Sequence, residues 1–427
     1  MDWKQEYESK KVSAAEAISK IKSGDKIYTG HSATESQVLT HELCNQKDRF
    51  ENVQIFVQNP LGDIEYVQPG MEKHFHATFL FANGVAGRRS INEGISDFIS
   101  ANLSEYPKIF LKNVIELDAA FVQVAPPNEK GECSFGIGVS NNYAVIEKAK
   151  YVIAEVNSNM PFTESATFPI SKIDHFVESD EPIVNLAVPH IDEISEKIGK
   201  NIAELIPDRS MLQIGFGSIP NAVLASLKGK KDLGVHTEMF SDGVMELYEL
   251  GVITSKYNNL HPGKMVTTYV AGSRELYDWL DHNPNVLFKV GNYTNDIRVA
   301  GRIDNLMSIN SALQVDLTGQ VNAEMIKGKQ YSGIGGQGDF VKSAMLSDGG
   351  KSFIALPATT KGGTISKIVA SIDEGCCVTT PRQDVQYVVT EYGVADLYGK
   401  TLTERAEEMI NIAHPDFRDE LRKSLKK

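Results

Sequence analysis

One acidic residue stands where a covalent nucleophile could work. In Leu233-Gly-Val-His-Thr-Glu-Met-Phe-Ser-Asp-Gly-Val244, the stretch Leu233–Glu238 alternates like a strand that is about to end. Ser241 or Asp242 can then cap a helix running to Leu250, and Gly251 stops it. Open α/β sheets gather their ligands at the carboxyl ends of strands, which is where Glu238 falls. His236, two residues earlier, shares its face. Surface and capping glutamates occupy strand ends as well, so position alone does not assign Glu238 a role.

Two glycine-rich segments could serve such a carboxylate. Met211–Leu227 reads as a buried strand, a tight turn at Gly215-Phe216-Gly217 and a helix, with Pro220 in the first helical turn where its missing N–H costs little. Amides freed at such a helix start can hold an anion or a developing oxyanion. A dinucleotide fingerprint is the competing reading, but Pro220 stands where its third glycine is expected. Further on, Tyr331-Ser-Gly-Ile-Gly-Gly-Gln-Gly-Asp-Phe340 places Gly333, Gly335, Gly336 and Gly338 within six residues, ahead of a helical stretch. Such a run can form a nest of amides, or simply a surface loop. Gln337 and Asp339, interrupting the glycines with specific polar groups, favour a ligand role. Lys361-Gly362-Gly363-Thr364 could touch a phosphate or make a turn.

Other signals exclude chemistries. His74 and His76 share a strand face without nearby acids, and no metal site is expected. No GxSxG, HExxH or GxxxxGK[ST] occurs, which removes a serine-elbow thioesterase, a zincin and a P-loop enzyme. The four cysteines, Cys44, Cys133, Cys376 and Cys377, show no zinc spacing and read as reduced, buried packing residues.

The elements that must position these groups alternate. Short runs rich in β-branched residues recur at 26–29, 53–57, 119–124, 151–156, 183–188, 211–214 and 353–356, each followed by an amphipathic stretch. That pattern predicts an α/β protein with largely parallel sheets. Two pairs of segments look like one unit written twice. Gly30-His-Ser-Ala-Thr-Glu-Ser-Gln-Val-Leu39 parallels the stretch 215–224, and Tyr151-Val-Ile-Ala-Glu155 parallels Tyr387-Val-Val-Thr-Glu391. The chain is therefore expected to fold as two related α/β domains, 1–190 and 191–427. The join falls near Ile191–Pro207, and the ligand is expected in the cleft between the domains.

Composition sets the outer bounds. A chain of 427 residues with net charge −13 has room for two or three cores. It lacks the dense basic surface that nucleic acid demands. No apolar run approaches the roughly 20 residues that span a bilayer, and residues 1–11 carry no apolar leader core. A cytoplasmic protein without a membrane partner is expected.

Several of these motifs together identify a family. His236–Val244, Gln213–Leu224, Ser332–Phe340, Val378–Gly393 and Ile412-Ala-His-Pro-Asp-Phe417 resemble the acetyl-CoA hydrolase/transferase family, in order and over nearly the whole chain. The resemblance implies two CoA-transferase-like open α/β domains with the active site in the cleft between them, often as homodimers or larger homo-oligomers. It makes Glu238 the catalytic residue. It assigns oxyanion and CoA-binding roles to Gly215, Phe216, Gly217, Gly333, Gly335, Gly336, Gln337, Gly338 and Asp339. Coenzyme A enters as substrate, with no further cofactor, and the partners implied are acyl-CoA and short-chain carboxylates such as acetate, butyrate or 4-hydroxybutyrate. The early segments around His31 and Gln58-Asn59 depart from the family pattern. With Gln213 and His236, these residues are the candidates for lining the acyl pocket.

Overall fold

Strands buried on both faces read as continuous apolar runs, and the first half of the chain is built from them. The computed structural model describes residues 2–425. Seven strands, Lys26–His31 (β1), Val53–Gln58 (β2), Phe75–Phe81 (β3), Asp97–Phe98 (β4), Ala119–Val124 (β5), Tyr151–Asn157 (β6) and His175–Ser179 (β7), form one sheet in the order β4-β3-β2-β1-β5-β6-β7. Every neighbouring pair is parallel. All six residues of β5 are buried, as a central strand requires. Helix Gln37–Asn45 (α1) returns the chain from β1 to β2 and buries Leu39, Thr40, Leu43 and Cys44, positions that share one helical face. Leu39 and Leu43 join Ile27, Ile55, Val57 and Phe79 in the core. Burial of each such leucine stabilises the fold by ~2 kcal/mol.

A second sheet is built from Met211–Ile214 (β8), Gly234–Val235 (β9), Leu306–Ser311 (β10), Lys351–Ala355 (β11), Tyr387–Thr390 (β12) and Gly393–Asp396 (β13), in the order β9-β8-β10-β11-β12-β13. Only the hairpin β12–β13 is antiparallel. Helix Glu193–Glu204 (α2) opens this half; Asp192 caps it by accepting from the Ser195 amide at 2.7 Å. Helix Ser218–Ser226 (α3) follows β8, Asp242–Glu249 (α4) follows the Glu238 segment, and Gln337–Leu346 (α5) follows the glycine run. Leu402–Ile412 (α6), with a full capping box at Thr401 and Glu404, covers the β12 end through Met409 and Ile410.

The chain divides into two compact units. One runs to Ala187 and takes in Thr268–Tyr293; the other holds Val188–Thr267 and the chain from Thr294 onward. A single cut at 190/191 does not describe that division, because Thr268–Tyr293 belongs with the first unit. Both units are open, mainly parallel α/β structures, the class expected.

Correspondence between the halves is partial. Gly30–Leu39 and the stretch 215–224 each leave a strand whose neighbour on one side is the next in sequence, β2 for β1 and β9 for β8. Tyr151 and Tyr387 do not correspond in this way, since β6 is two strands from β1 and β12 is three from β8. The stretch 183–188 is not a strand. It lies between Pro182 and Pro189, Val188 is 58% exposed, and no ladder forms there.

Candidate active site

Two segments of the second unit, at Asn295 and Gly336, meet on the Glu238 carboxylate, and the end of β8 is bound to the residue before it. β8 ends at Ile214, and Thr237 is bound to that end: its Oγ1 accepts from the Ile214 amide at 3.3 Å and lies 3.0 Å from the Ile214 carbonyl. The turn Gly215-Phe216-Gly217 and the residue Glu238 are therefore held side by side. Gly217 has φ +138°, a backbone that favours glycine, and its carbonyl accepts from Asn221 as α3 begins. Gly215 does not use the positive φ that glycine permits; a side chain there would meet nothing within 4 Å, so it borders open space. Pro220 sits in the first turn of α3, as expected.

Glu238 is half-buried, and Oε2 accepts a hydrogen bond from Asn295 Nδ2 at 2.8 Å. The glycine run meets the same oxygen. A Cβ on Gly336 would stand 1.9 Å from Glu238 Oε2 and 2.3 Å from Asn295 Nδ2, so any side chain there would displace the carboxylate and the amide. Gly335, with φ +57°, makes the turn that brings Gly336 there. Gln337 opens α5 and pins the run from both ends of its amide: Nε2 donates to the Ser311 carbonyl at 2.9 Å, and Oε1 accepts from Thr380 Oγ1 at 2.9 Å. Gly333 is buried, Gly338 lies in α5, and Asp339 is buried one residue on. Burial raises the Glu238 pKa to about 7; Asp339 adds to the rise, while the Asn295 hydrogen bond opposes it.

His236 and Gln213 belong to this unit too, as internal braces. His236 is fully buried and its Nε2 donates to the Thr294 carbonyl at 2.8 Å. Desolvation lowers its pKa to about 4, so the ring is neutral. Gln213 Oε1 accepts from Ser308 Oγ at 2.8 Å and Asn310 Nδ2 at 3.0 Å, tying β8 to β10.

The remaining candidates form a polar group within the first unit. His31 is buried, hydrogen-bonded through Nδ1 to Ser140 Oγ, with its ring edge-on to Tyr269 at 4.2 Å; burial lowers its pKa to about 3. Gln58 Oε1 accepts from Asn141 Nδ2 at 2.8 Å. Asn59 has φ +47°, and its amide donates to the Phe81 carbonyl at 3.3 Å. His31 and Gln58 are thus bound by the adjacent pair Ser140 and Asn141.

Asn295 is the residue that sequence reasoning missed. Its only signal is the polar string Asn292-Tyr-Thr-Asn-Asp296, which reads as a loop. Lys361–Thr364 is a hairpin turn between Thr359–Thr360 and Ile365–Ser366, closed by Thr364 Oγ1 donating to the Lys361 carbonyl. Cys44 and Cys133 are buried, whereas Cys376 and Cys377 are only half-buried, and all four are free thiols. His74 and His76 are separately engaged, by the Phe50 carbonyl and by Asp97, so His76 does have an acid beside it. Among the described residues, no group of three or more His, Cys, Asp or Glu is placed to hold a metal, and no helix is long and apolar enough to cross a membrane.

An open, mainly parallel α/β unit holds Glu238 between Asn295 and Gly336, and sequence comparison supplies the class of protein. Residues 1–188 match the acetyl-CoA hydrolase/transferase N-terminal domain and residues 272–425 the C-terminal domain of the same family. The 4-hydroxybutyrate coenzyme A transferase of Clostridium kluyveri is 45% identical over 430 residues, covering 100% of both chains. The butyryl-CoA:acetate CoA-transferase of Anaerostipes caccae is 39% identical, covering 100% of this chain and 98% of its own. The crystal structure of 4-hydroxybutyrate CoA-transferase from Porphyromonas gingivalis superposes with a TM-score of 0.86 at 39% identity, over 100% of this chain and 99% of that one. The chain belongs to the acetyl-CoA hydrolase/transferase family and is an enzyme of the CoA-transferase class.

Proposed function

We propose that the chain exchanges CoA between a short-chain acyl-CoA and a free carboxylate, 4-hydroxybutyryl- or butyryl-CoA with acetate, through a covalent glutamyl-CoA thioester on Glu238. The observation that carries this reading is the Glu238 carboxylate, bound by Asn295 in the space that a side chain at Gly336 would fill. The acyl groups are those named for the two full-length relatives.

Exchange between thioesters and acids needs a nucleophile that is itself an acid. A Glu238 oxygen attacks the acyl-CoA carbonyl; the C–S bond breaks, CoA leaves as thiolate and a mixed anhydride remains. The thiolate then attacks the glutamyl carbonyl, the anhydride C–O bond breaks, and the first carboxylate departs. A second carboxylate takes CoA by the reverse of these steps. Thioester energy is conserved throughout, so the scheme calls for neither metal nor ATP. Each attack develops a tetrahedral oxyanion. Backbone amides of the turn 215–217 and of the run 333–338 are the proposed donors, each worth roughly 3 kcal/mol when well aimed. Gly215 leaves room for the approaching thioester. In this reading the enzyme is cytoplasmic and works as a homodimer or larger homo-oligomer.

The test is an exchange assay with butyryl-CoA, with and without acetate. Acetyl-CoA formation without free thiol, together with borohydride reduction trapped at Glu238, supports transfer. Thiol release independent of acetate would make the chain a hydrolase. Unchanged thioester with no modified residue would make it a CoA-binding protein.

A further inference from the structure

His236 is buried and does not touch the Glu238 carboxylate, yet both are bound to consecutive residues of one segment. His236 Nε2 lies 2.8 Å from the Thr294 carbonyl, and the next residue, Asn295, sends its Nδ2 to Glu238 Oε2 at 2.8 Å. Two hydrogen bonds, one on either side of Thr237, therefore lock 294–295 against 236–238. A carbonyl can only accept, so Nε2 must carry the proton and Nδ1 the lone pair. Nδ1 is buried without a partner, and so is Asn295 Oδ1. The amide of Asn295 thus reaches Glu238 with no second bond of its own side chain to aim it. Its direction depends on where its backbone is held, and the Thr294 carbonyl is one hold.

We propose that His236 is a positioning residue for the nucleophile, a neutral, fixed-tautomer donor that aims Asn295 at Glu238. The inference rests on the reading of Glu238 as nucleophile and adds a role that the carboxylate's own contacts do not reveal. The groups facing these two side chains are few: Asp339 acts on Glu238 and His261 on His236, each disfavouring the charged form. Protonating His236 would bury a charged ring whose new Nδ1–H has no partner, so the donor keeps one state across the working range.

His236→Leu removes the donor without adding another polar group; His236→Gln supplies an N–H near the position of Nε2. In H236L, kcat should fall by about tenfold, the size of one lost hydrogen bond's aim, with the KM for acyl-CoA little changed. The acidic limb of kcat/KM should also move to higher pH, because the bond that favours ionised Glu238 is loosened. H236Q should recover most of both effects, and adding H236L to N295A should move the limb no further than N295A alone. A merely structural histidine would lower activity without moving the limb, and its effect would add to that of N295A. Either outcome in H236L overturns the proposal, as does H236Q behaving like H236L. Borohydride trapping in the parent enzyme separates the two ideas. Absence of an adduct at Glu238 defeats the nucleophile reading, whereas an adduct together with an unmoved limb in H236L defeats only the positioning role. If H236L does not fold, H236N, whose amide reaches only the Nδ1 position, takes its place: a limb moved in H236N and held at the parent pH in H236Q sustains the role, and a limb held in both overturns it.

Discussion

Gly336→Ala is the smallest change that strikes at the centre of the proposed chemistry. The added carbon would stand 1.9 Å from Glu238 Oε2 and 2.3 Å from Asn295 Nδ2, whereas non-bonded heavy atoms settle at roughly 3.5 Å. The carboxylate must therefore retreat by something over an ångström, or the glycine run must withdraw with its amides. Either movement separates the nucleophile from the proposed oxyanion donors. Misplacement by about 1 Å can cost on the order of 100-fold in rate, which corresponds to roughly 2.7 kcal/mol of barrier. The clash falls on a half-buried side chain rather than on the sheet, so the fold should survive with a modest drop in Tm. The assay is butyryl-CoA:acetate exchange by steady-state kinetics, with Tm from thermal denaturation as the control. A folded G336A enzyme with kcat within about threefold of the parent would refute the reasoning, since the carboxylate would then have room the geometry denies it.

Four further outcomes follow from the same residues. Glu238→Gln keeps the shape of the side chain and the Asn295 contact but removes the proposed nucleophile; exchange should drop by at least ~10³-fold and borohydride should trap nothing. Gly215→Ala faces open space, so Tm should hold while kcat/KM for acyl-CoA falls by roughly tenfold; equal activity would mean that the thioester does not pass there. As the proposed nucleophile Glu238 would attack only when ionised, and its pKa is raised to about 7, so kcat/KM should climb with pH and level off above that value; a limb near the ordinary glutamate value of 4.5 would contradict the burial argument. Glu155, buried with Oε2 on the Val38 amide at 3.1 Å, is likewise pushed up to about 7 by desolvation. Its folded form holds a proton that the unfolded chain has released between pH 4.5 and 7, so this carboxyl destabilises progressively as pH rises through that window. His31 and His236, with lowered pKa values, act in the opposite sense below pH 6.5, so the readout is a difference. The stability of Glu155→Gln relative to the parent should grow from pH 4.5 to 7, by up to ~1.4 kcal/mol per unit, in urea denaturation at each pH.

The parts of the fold that were legible in the sequence are those whose signal is local. β1, β2, β5, β6 and β8 announce themselves as β-branched runs, and the turns at 215–217 and 333–338 announce themselves as glycine clusters before helices. β10 escaped because Leu306-Met-Ser-Ile-Asn-Ser311 carries Ser308 and Asn310, which look like loop residues until Gln213 is seen to satisfy both. The stretch 183–188 erred the other way: an apolar run bounded by two prolines forms no ladder here, and Val188 is left in solvent. Thr268–Tyr293 could not be assigned to the first unit from sequence, because nothing in its composition records which core it packs on. Asn295 lies 57 positions from the carboxylate it holds, and an asparagine in a polar string advertises a turn.

Burial and hydrogen bonding act against each other on Glu238, and the balance suits the proposed role as both nucleophile and leaving group. Burial with Asp339 nearby destabilises the anion, which makes it more reactive than a solvated carboxylate; Asn295 restores enough stability that the anion is still populated near neutrality. An apolar neighbour in place of Asn295 would leave the carboxyl protonated to a higher pH. A cationic one would hold it ionised but quench its attack. A neutral amide does neither, and being uncharged it has to be aimed well to have any effect. The precision therefore moves outward, to the backbone at 294–295 and the imidazole of His236 that holds it, and to Gly336, whose missing side chain leaves the carboxylate the room it occupies.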